Sequence, residues 1–278
     1  MEQKENTFKP LNIKEIIAEK NQKLAKRIPN FIYNYLTRIL HLEDINEVMR
    51  KHGHLKGADF VNQIVEEFNI EFDLKGVENI PNDRSLIFAS NHPLGGFDGM
   101  LLIAIVSKLT DRPVKFLVND FLMHIPTLKD NFIPINKVGG QARDSLLKIE
   151  QAYASDAHIL IFPAGLCSRK IKGKITDLEW NKHFIQKSAQ YQRDIIPIHF
   201  SGRNSNFFYN LARFRKFIGL KKINLEMMYL ADEMFKHINK KFTISFGSLV
   251  SHKEFNNKSE YKNWALKVRN MCYALNKK

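Results

Sequence analysis

The sequence predicts an α/β fold, a mainly parallel sheet flanked by helices, with an N-terminal helical extension. Three observations carry this. From residue 70 onward, short β-prone apolar runs alternate with segments of helical periodicity, the pattern of strand–helix–strand units. The stretch Ser85–Met100, SLIFASNHPLGGFDGM, reads as strand, tight turn and helix in immediate succession. Before residue 70 the apolar residues recur only at helical spacing. The chain therefore divides into an extension, residues 1–69, and an α/β domain, residues 70–278.

Taken in order, Ile13, Ile16, Ile17 and Leu24 form a first helical stripe among Lys and Glu, and Pro29 interrupts it. Phe31, Ile32, Tyr35, Leu36, Ile39 and Leu40 form a second stripe, and Phe60, Val61, Ile64, Val65 and Phe68 a third. These predict a helical layer packed on the α/β domain. Lys20–Leu40, where Lys20, Lys23, Lys26 and Arg27 precede the aromatic-rich stripe, also suits membrane or carrier docking. From Ile70, alternating apolar and polar residues ending in turn chemistry predict a strand. Further strands are expected at Leu86–Ser90, Val114–Val118, His158–Phe162, Ile195–Phe200, Leu225–Leu230 and Phe242–Phe246. Helices are expected at Gly99–Leu109, Gln141–Ala154, Glu179–Tyr191 and Ser205–Phe217. A last amphipathic helix carries Tyr261, Trp264, Ala265, Val268, Met271 and Leu275 and reads as packing.

The bulk properties narrow the partners. The chain has 278 residues, 44% of them hydrophobic, and a formal net charge of +14. An anionic partner is expected: nucleic acid, an anionic membrane surface or an acidic carrier protein. The two cysteines, Cys167 and Cys272, make neither a metal-ligand spacing nor a disulfide framework. The first ten residues lack the apolar core of a signal peptide. The longest apolar run, Met100–Val106, is far short of the roughly 20 residues a spanning helix needs. A soluble or peripheral protein is expected.

Four stretches carry the chemistry. In the first, Pro93 biases His92 toward extended backbone, so the imidazole sits at a strand end, where ligands of such sheets bind. Gly95 and Gly96 permit a turn that side chains would forbid, and Asp98 falls in the first turn of the next helix. His92 would act as general base and Asp98 would fix its tautomer. On spacing alone a plain hydrogen-bonded pair, or a helix cap, accounts for the same residues and is the stronger reading. The second stretch, DNFIPINKVGG, leads an apolar segment into Asn136-Lys137 and a glycine turn. The third, HILIFPAGLCSRK, delivers a turn at Gly165 and the group Ser168-Arg169-Lys170, suited to an anion. Cys167 reads as an inert small residue more readily than as a nucleophile. The fourth, IIPIHFSGRNSNFF, ends in Arg203, a candidate for a carboxylate or phosphate, and Ser205, a candidate helix cap. The helix after it interleaves Phe207, Phe208, Phe214 and Phe217 with Arg213, Arg215 and Lys216, which suits an anionic lipid interface.

The order of these stretches resembles the glycerolipid acyltransferase superfamily (PlsC-like). NHPLGGFDG is similar to its first motif, Asn-His, four residues, Asp, with one extra residue between His92 and Asp98. That spacing matches a branch of amino-acid-lipid and hemolysin-type acyltransferases. Phe132-Ile133 with Lys137 resembles the second motif, where the family has an Arg. FPAGLCSR resembles the third, Phe-Pro-Glu-Gly-Thr-Arg-Ser-Arg, but Ala164 stands for the Glu and Cys167 for the Arg that help hold glycerol phosphate. Ile195–Ile198 resembles the fourth.

The resemblance implies a glycerolipid-acyltransferase-like fold and an O-acyltransferase of membrane lipid biosynthesis. His92 and Asp98 would be catalytic. Asn91, Gly95, Gly96, Lys137, Gly165, Ser168, Arg169 and Arg203 would bind substrate. Backbone N–H groups near Gly95–Gly96 or Gly165 would hold the oxyanion, and Leu94, Phe97 and Leu101 an acyl chain. No metal and no cofactor are implied; an acyl carrier protein or coenzyme A thioester is the co-substrate. The acceptor expected is a lyso-lipid, a lyso-aminolipid of the glycine- or ornithine-lipid type before lysophosphatidate. The partners expected are the thioester donor and an anionic membrane surface, with no nucleic acid. The place expected is the cytoplasmic, inner face of the cell membrane. A non-catalytic basic membrane- or RNA-binding protein is the alternative of another class.

Overall fold

The computed structural model describes residues 9–118, 126–135, 141–220 and 224–277. Five helices come first: α1 (Ile13–Lys20), α2 (Gln22–Arg27), α3 (Asn30–Ile39), α4 (Leu42–His52) and α5 (Gly57–Glu67). Pro29 separates α2 from α3, as its fixed φ and missing N–H require. The α/β part then runs β1 (Glu71–Lys75), β2 (Ile87–Ser90), α6 (Phe97–Leu109), β3 (Val114–Val118), β4 (Phe132–Pro134) and α7 (Gln141–Ala154). It continues with β5 (His158–Ile161), a hairpin β6 (Arg169–Ile171) and β7 (Lys174–Thr176), α8 (His183–Tyr191), β8 (Ile195–Phe200) and α9 (Asn206–Phe217). It closes with α10 (Leu230–Phe235), β9 (Lys241–Phe246) and α11 (Tyr261–Ala274).

Among the described residues one seven-stranded sheet has the order β1-β9-β8-β2-β5-β3-β4. Every neighbouring pair is parallel except β8–β9. The expected α/β class with a mainly parallel, helix-flanked sheet is thus what forms. The central strands are buried on both faces, which is why they read as continuous apolar runs rather than alternating ones. Their side chains still alternate between two cores. Phe88 and Leu160 face one core, shared with α5 and α6. Ile87, Ala89, Ile159 and Ile161 face the other, shared with α8 and α11.

The helix α6 is apolar all round, and Phe97 through Val106 are buried. It lies between the sheet and α5, whose Phe60, Val61 and Ile64 join the same core. The last helix of the first 69 residues is therefore a covering layer of the sheet. Leu94, Phe97 and Leu101 belong to this packed core too and are almost wholly buried. They do not line an open groove, because the apolar surface expected to meet an acyl chain is already removed from water by protein.

One expected strand is absent. Leu225–Tyr229 is a short 3₁₀ turn leading into α10. The reason is Glu226, whose carboxylate points inward to two arginines (below), a demand that an apolar–polar alternation does not reveal. The helix expectations hold within a few residues, Ser205 caps α9 through the Phe208 N–H, and α11 packs Ala265, Val268 and Cys272 into the second core.

Two buried histidines tie this packing to pH. The Nδ1 of His158 accepts the Leu86 N–H at 3.1 Å, so that ring must be neutral. Burial pushes His158 down to about 4, with the cations Arg112 and Arg193 adding to it, and burial alone pushes His199 to about 4. The unfolded chain takes up these protons near pH 6.5 and the folded chain does not. Stability is therefore full above about pH 6.5 and declines as the pH falls toward 4. The midpoint of urea unfolding should drop over that window, and His199→Leu should flatten the decline.

Candidate active site

The carboxyl ends of β8, β2 and β5 lie side by side in the middle of the sheet, because these three strands are adjacent and parallel. Asn91 follows β2 and ties that end shut. Its side-chain amide donates to Phe200 O at 3.0 Å and accepts from Phe200 N at 2.7 Å, which extends the β2–β8 pairing by one residue. The next residue, His92, turns away from the sheet.

The turn from Asn91 to Asp98 bends through two glycines with positive φ, Gly95 at +71° and Gly96 at +118°. A side chain at Gly95 would also meet Leu230, whose Cδ2 lies 2.6 Å from the position of a Cβ. The turn brings Asp98 beneath His92. The imidazole Nδ1–H donates to both carboxylate oxygens, at 3.0 and 3.1 Å. The amides of Leu94 (2.9 Å), Gly96 (3.1 Å) and Gly99 (2.9 Å) donate to the same carboxylate. Asp98 is fully buried. Burial alone would raise its pKa; the imidazole and the Leu94 and Gly96 amides outweigh it and hold the carboxyl below the usual carboxylate range. An acceptor-only carboxylate fixes the histidine tautomer with its proton on Nδ1. Among the described residues Nε2 has no hydrogen-bond partner, and the His92 side chain is 13% exposed.

Two further contacts hold His92, one on its ring and one on its backbone. His92 stacks on Phe162, the residue after β5, with centroids 3.9 Å apart and planes at 15°. Asp177 accepts the His92 backbone N–H at 3.2 Å, the Ser168 Oγ–H at 2.5 Å and the Trp180 Nε1–H at 2.9 Å. Ser168 N–H returns to His92 O at 2.7 Å. Ser168 is thus brought to the dyad as a buried support of its backbone.

The other expected site residues fall into different roles. Gly165 lies in an exposed turn with positive φ, and its N–H donates to Phe162 O at 3.0 Å. Gly96 N–H is held by Asp98, so neither of these two amides is open to an oxyanion; among the described residues the Gly95 N–H has no such bond. Arg169 is buried in the β6–β7 hairpin. Its Nη2 meets Glu226 Oε1 at 3.1 Å, and its Nη1 donates to Cys167 O at 2.8 Å. Arg215 meets the other oxygen of Glu226 at 2.8 Å. Arg169, Glu226 and Arg215 form a buried cation–anion–cation group that clamps α9 to the turn after β5. Arg203 is exposed and bonded to the Asn206 side chain. Lys137 lies outside the described residues. Cys167 is buried, and burial pushes its thiol up to about 11 against the opposing pull of Arg169; it is no thiolate nucleophile.

Sequence reasoning missed Phe162 as the shelf for the imidazole, Asp177 and Glu226. Phe162 and Asp177 carry no local signal. Glu226 does: it is the first acid after Asp194, at the end of a long cationic stretch.

A sequence model of the acyltransferase family matches residues 15–278. The lyso-glycine lipid O-acyltransferase of Bacteroides thetaiotaomicron is 43% identical over 265 residues, covering 95% of this chain and 97% of that protein. The lyso-glycine lipid O-acyltransferase of Phocaeicola vulgatus is also 43% identical, covering 95% of each. The chain belongs to the acyltransferase family. It is an O-acyltransferase, and its motifs place it, as the resemblance implied, on the aminolipid branch of the glycerolipid acyltransferases. A solved structure, the 1-acyl-sn-glycerophosphate acyltransferase PlsC of Thermotoga maritima, aligns with TM-score 0.49 at 17% identity over 87% of this chain and 94% of that one.

His92→Ala should lower acyltransferase kcat at least about a thousandfold with an unchanged circular dichroism spectrum. Asp98→Asn should lower it about 100- to 10,000-fold and also lower the melting temperature, because an amide N–H₂ then opposes backbone N–H donors. Glu226→Gln leaves two buried guanidinium groups facing each other without their counter-ion. It should cost about 3 kcal/mol or more of unfolding free energy in urea titrations.

Proposed function

We propose that this acyltransferase moves a fatty acyl group from an acyl thioester, on acyl carrier protein or coenzyme A, to the hydroxyl of a lyso-aminolipid of the glycine-lipid type. The observation that carries the acceptor is the 43% identity, across nearly the whole chain, to two lyso-glycine lipid O-acyltransferases. The third motif supports it. Ala164 and buried Cys167 stand where the superfamily resemblance expects a Glu and an Arg for glycerol phosphate, and Arg169 is held by Glu226.

In the proposed reaction the acceptor hydroxyl lies at His92 Nε2, the free nitrogen. Nε2 takes its proton as the oxygen attacks the thioester carbonyl. Asp98 stabilises the imidazolium that forms, as it already holds the Nδ1 proton. The tetrahedral intermediate carries its charge on oxygen near the Gly95 N–H, the open amide of the glycine turn. Collapse forms the ester C–O bond and breaks the C–S bond, and the imidazolium returns the proton to the leaving thiolate. The products are an acylated lipid and a free thiol.

A peripheral position on the inner face of the membrane follows from the substrates and from a net charge of +14. No helix among the described residues is long and apolar enough to cross a bilayer. The test is thiol release from an acyl thioester in the presence of one acceptor at a time. Lyso-glycine lipid should give release that His92→Ala abolishes. Equal or greater release with lysophosphatidate would overturn the acceptor assignment.

A further inference from the structure

We propose that the exposed aromatic face shared by α3, α9 and the Leu225–Tyr229 turn is the surface that docks the enzyme on an anionic bilayer, directly beside the catalytic turn. This deepens the membrane association proposed above and rests on it.

The inner side of α9 is accounted for: Phe208, Tyr209, Ala212 and Arg215 are buried. The outer side is not polar, as a solvated helix face would be. Phe214 is 59% exposed and Phe217 88%, with Phe207 and Ile218 exposed beside them. On α3, Phe31 is 72% exposed and Tyr35 lies four residues on, one helical turn away. The two helices form one face, because Tyr229 joins them. Its ring packs edge-on against Phe207 at 4.9 Å, and its hydroxyl bonds that of Tyr35. Single exposed aromatics are common; a run of them across two helices marks a docking surface.

Charge identifies the occupant. No Asp or Glu occurs between Glu19 and Glu43, the segment that contains α3, or between Asp194 and Glu226, the segment that contains α9. Exposed Arg38, Arg203, Arg213 and Lys216 rim the aromatics. A second copy of the chain would set like charges against like across a two-fold contact. An anionic headgroup layer meets the cations while the phenyl rings enter the acyl boundary.

The face is tied to the chemistry. Leu230 follows Tyr229 and packs against Gly95 in the catalytic turn. Arg215 on α9 and Arg169 beside that turn share one carboxylate, Glu226. The face is thereby held in a fixed position beside the Gly95–Gly96 turn that carries His92.

The experiment is vesicle co-sedimentation of the full chain, with phosphatidylcholine alone or mixed with phosphatidylglycerol, paired with kinetics. Wild type should bind the mixed vesicles and release with salt. Phe214→Ser/Phe217→Ser should lower that partitioning about tenfold or more. It should raise KM for a long-chain acceptor in vesicles while leaving kcat/KM for a short-chain, monomeric acceptor and the melting temperature unchanged. Equal partitioning of the double variant, with wild type bound, overturns the face and leaves membrane association standing. Failure of wild type to bind mixed vesicles overturns both. Dimerisation of wild type in sedimentation velocity, lost in the variant, assigns the face to a second copy and overturns the lipid proposal.

Discussion

A carboxylate with no exposure to water, met by one imidazole N–H and three backbone N–H groups, holds the candidate active site of this molecule together. A bare charge in that position is prohibitively costly, and each donor is needed to offset its desolvation. The three amides come from Leu94, Gly96 and Gly99, so the turn must fold around Asp98 for the charge to be tolerated. The same bonds decide the proton inventory of His92: Nδ1 is occupied and Nε2 is free. The orientation of the imidazole and the local fold of the turn are therefore one event. Two positive-φ glycines make it geometrically possible.

Around this centre the supports are distributed rather than local. Phe162 supplies a flat surface for the imidazole, and Asp177 ties the His92 backbone to Ser168 and Trp180. Behind them Glu226 joins α9 to the turn after β5. Three charges are buried there, and such groups gain little net stability over an apolar core. What this one achieves is position. It fixes the outer face of α9 relative to the glycine turn, so the proposed lipid-facing surface and the proposed base are rigidly related.

Much of this was legible in the chain because the physics is local. A strand, an Asn-His-Pro break, a glycine pair and an Asp in the first turn of an apolar helix define a dyad within eight residues. Pro29 and Ser205 marked helix boundaries through the same short-range chemistry. The misreadings share a cause. Leu225–Leu230 alternates like a strand, yet Glu226 must reach two arginines from other elements, and that long-range demand sets the backbone. Arg169 looked like a free cation beside a turn; its partner is 57 residues away. Leu94, Phe97 and Leu101 looked like groove residues because apolar character does not distinguish a wall from a core.

The sequence by itself determined the α/β class, the dyad and the motif order, since periodicity and turn chemistry act over a few residues. It also determined the large positive charge and where the acids are missing. Only the tertiary structure decided which nitrogen of His92 is free and which expected binding groups are already committed inside the protein. It alone showed that aromatics from α3 and α9 meet at Tyr229. These are matters of contact between segments far apart in the chain, and no local pattern encodes the distance between them.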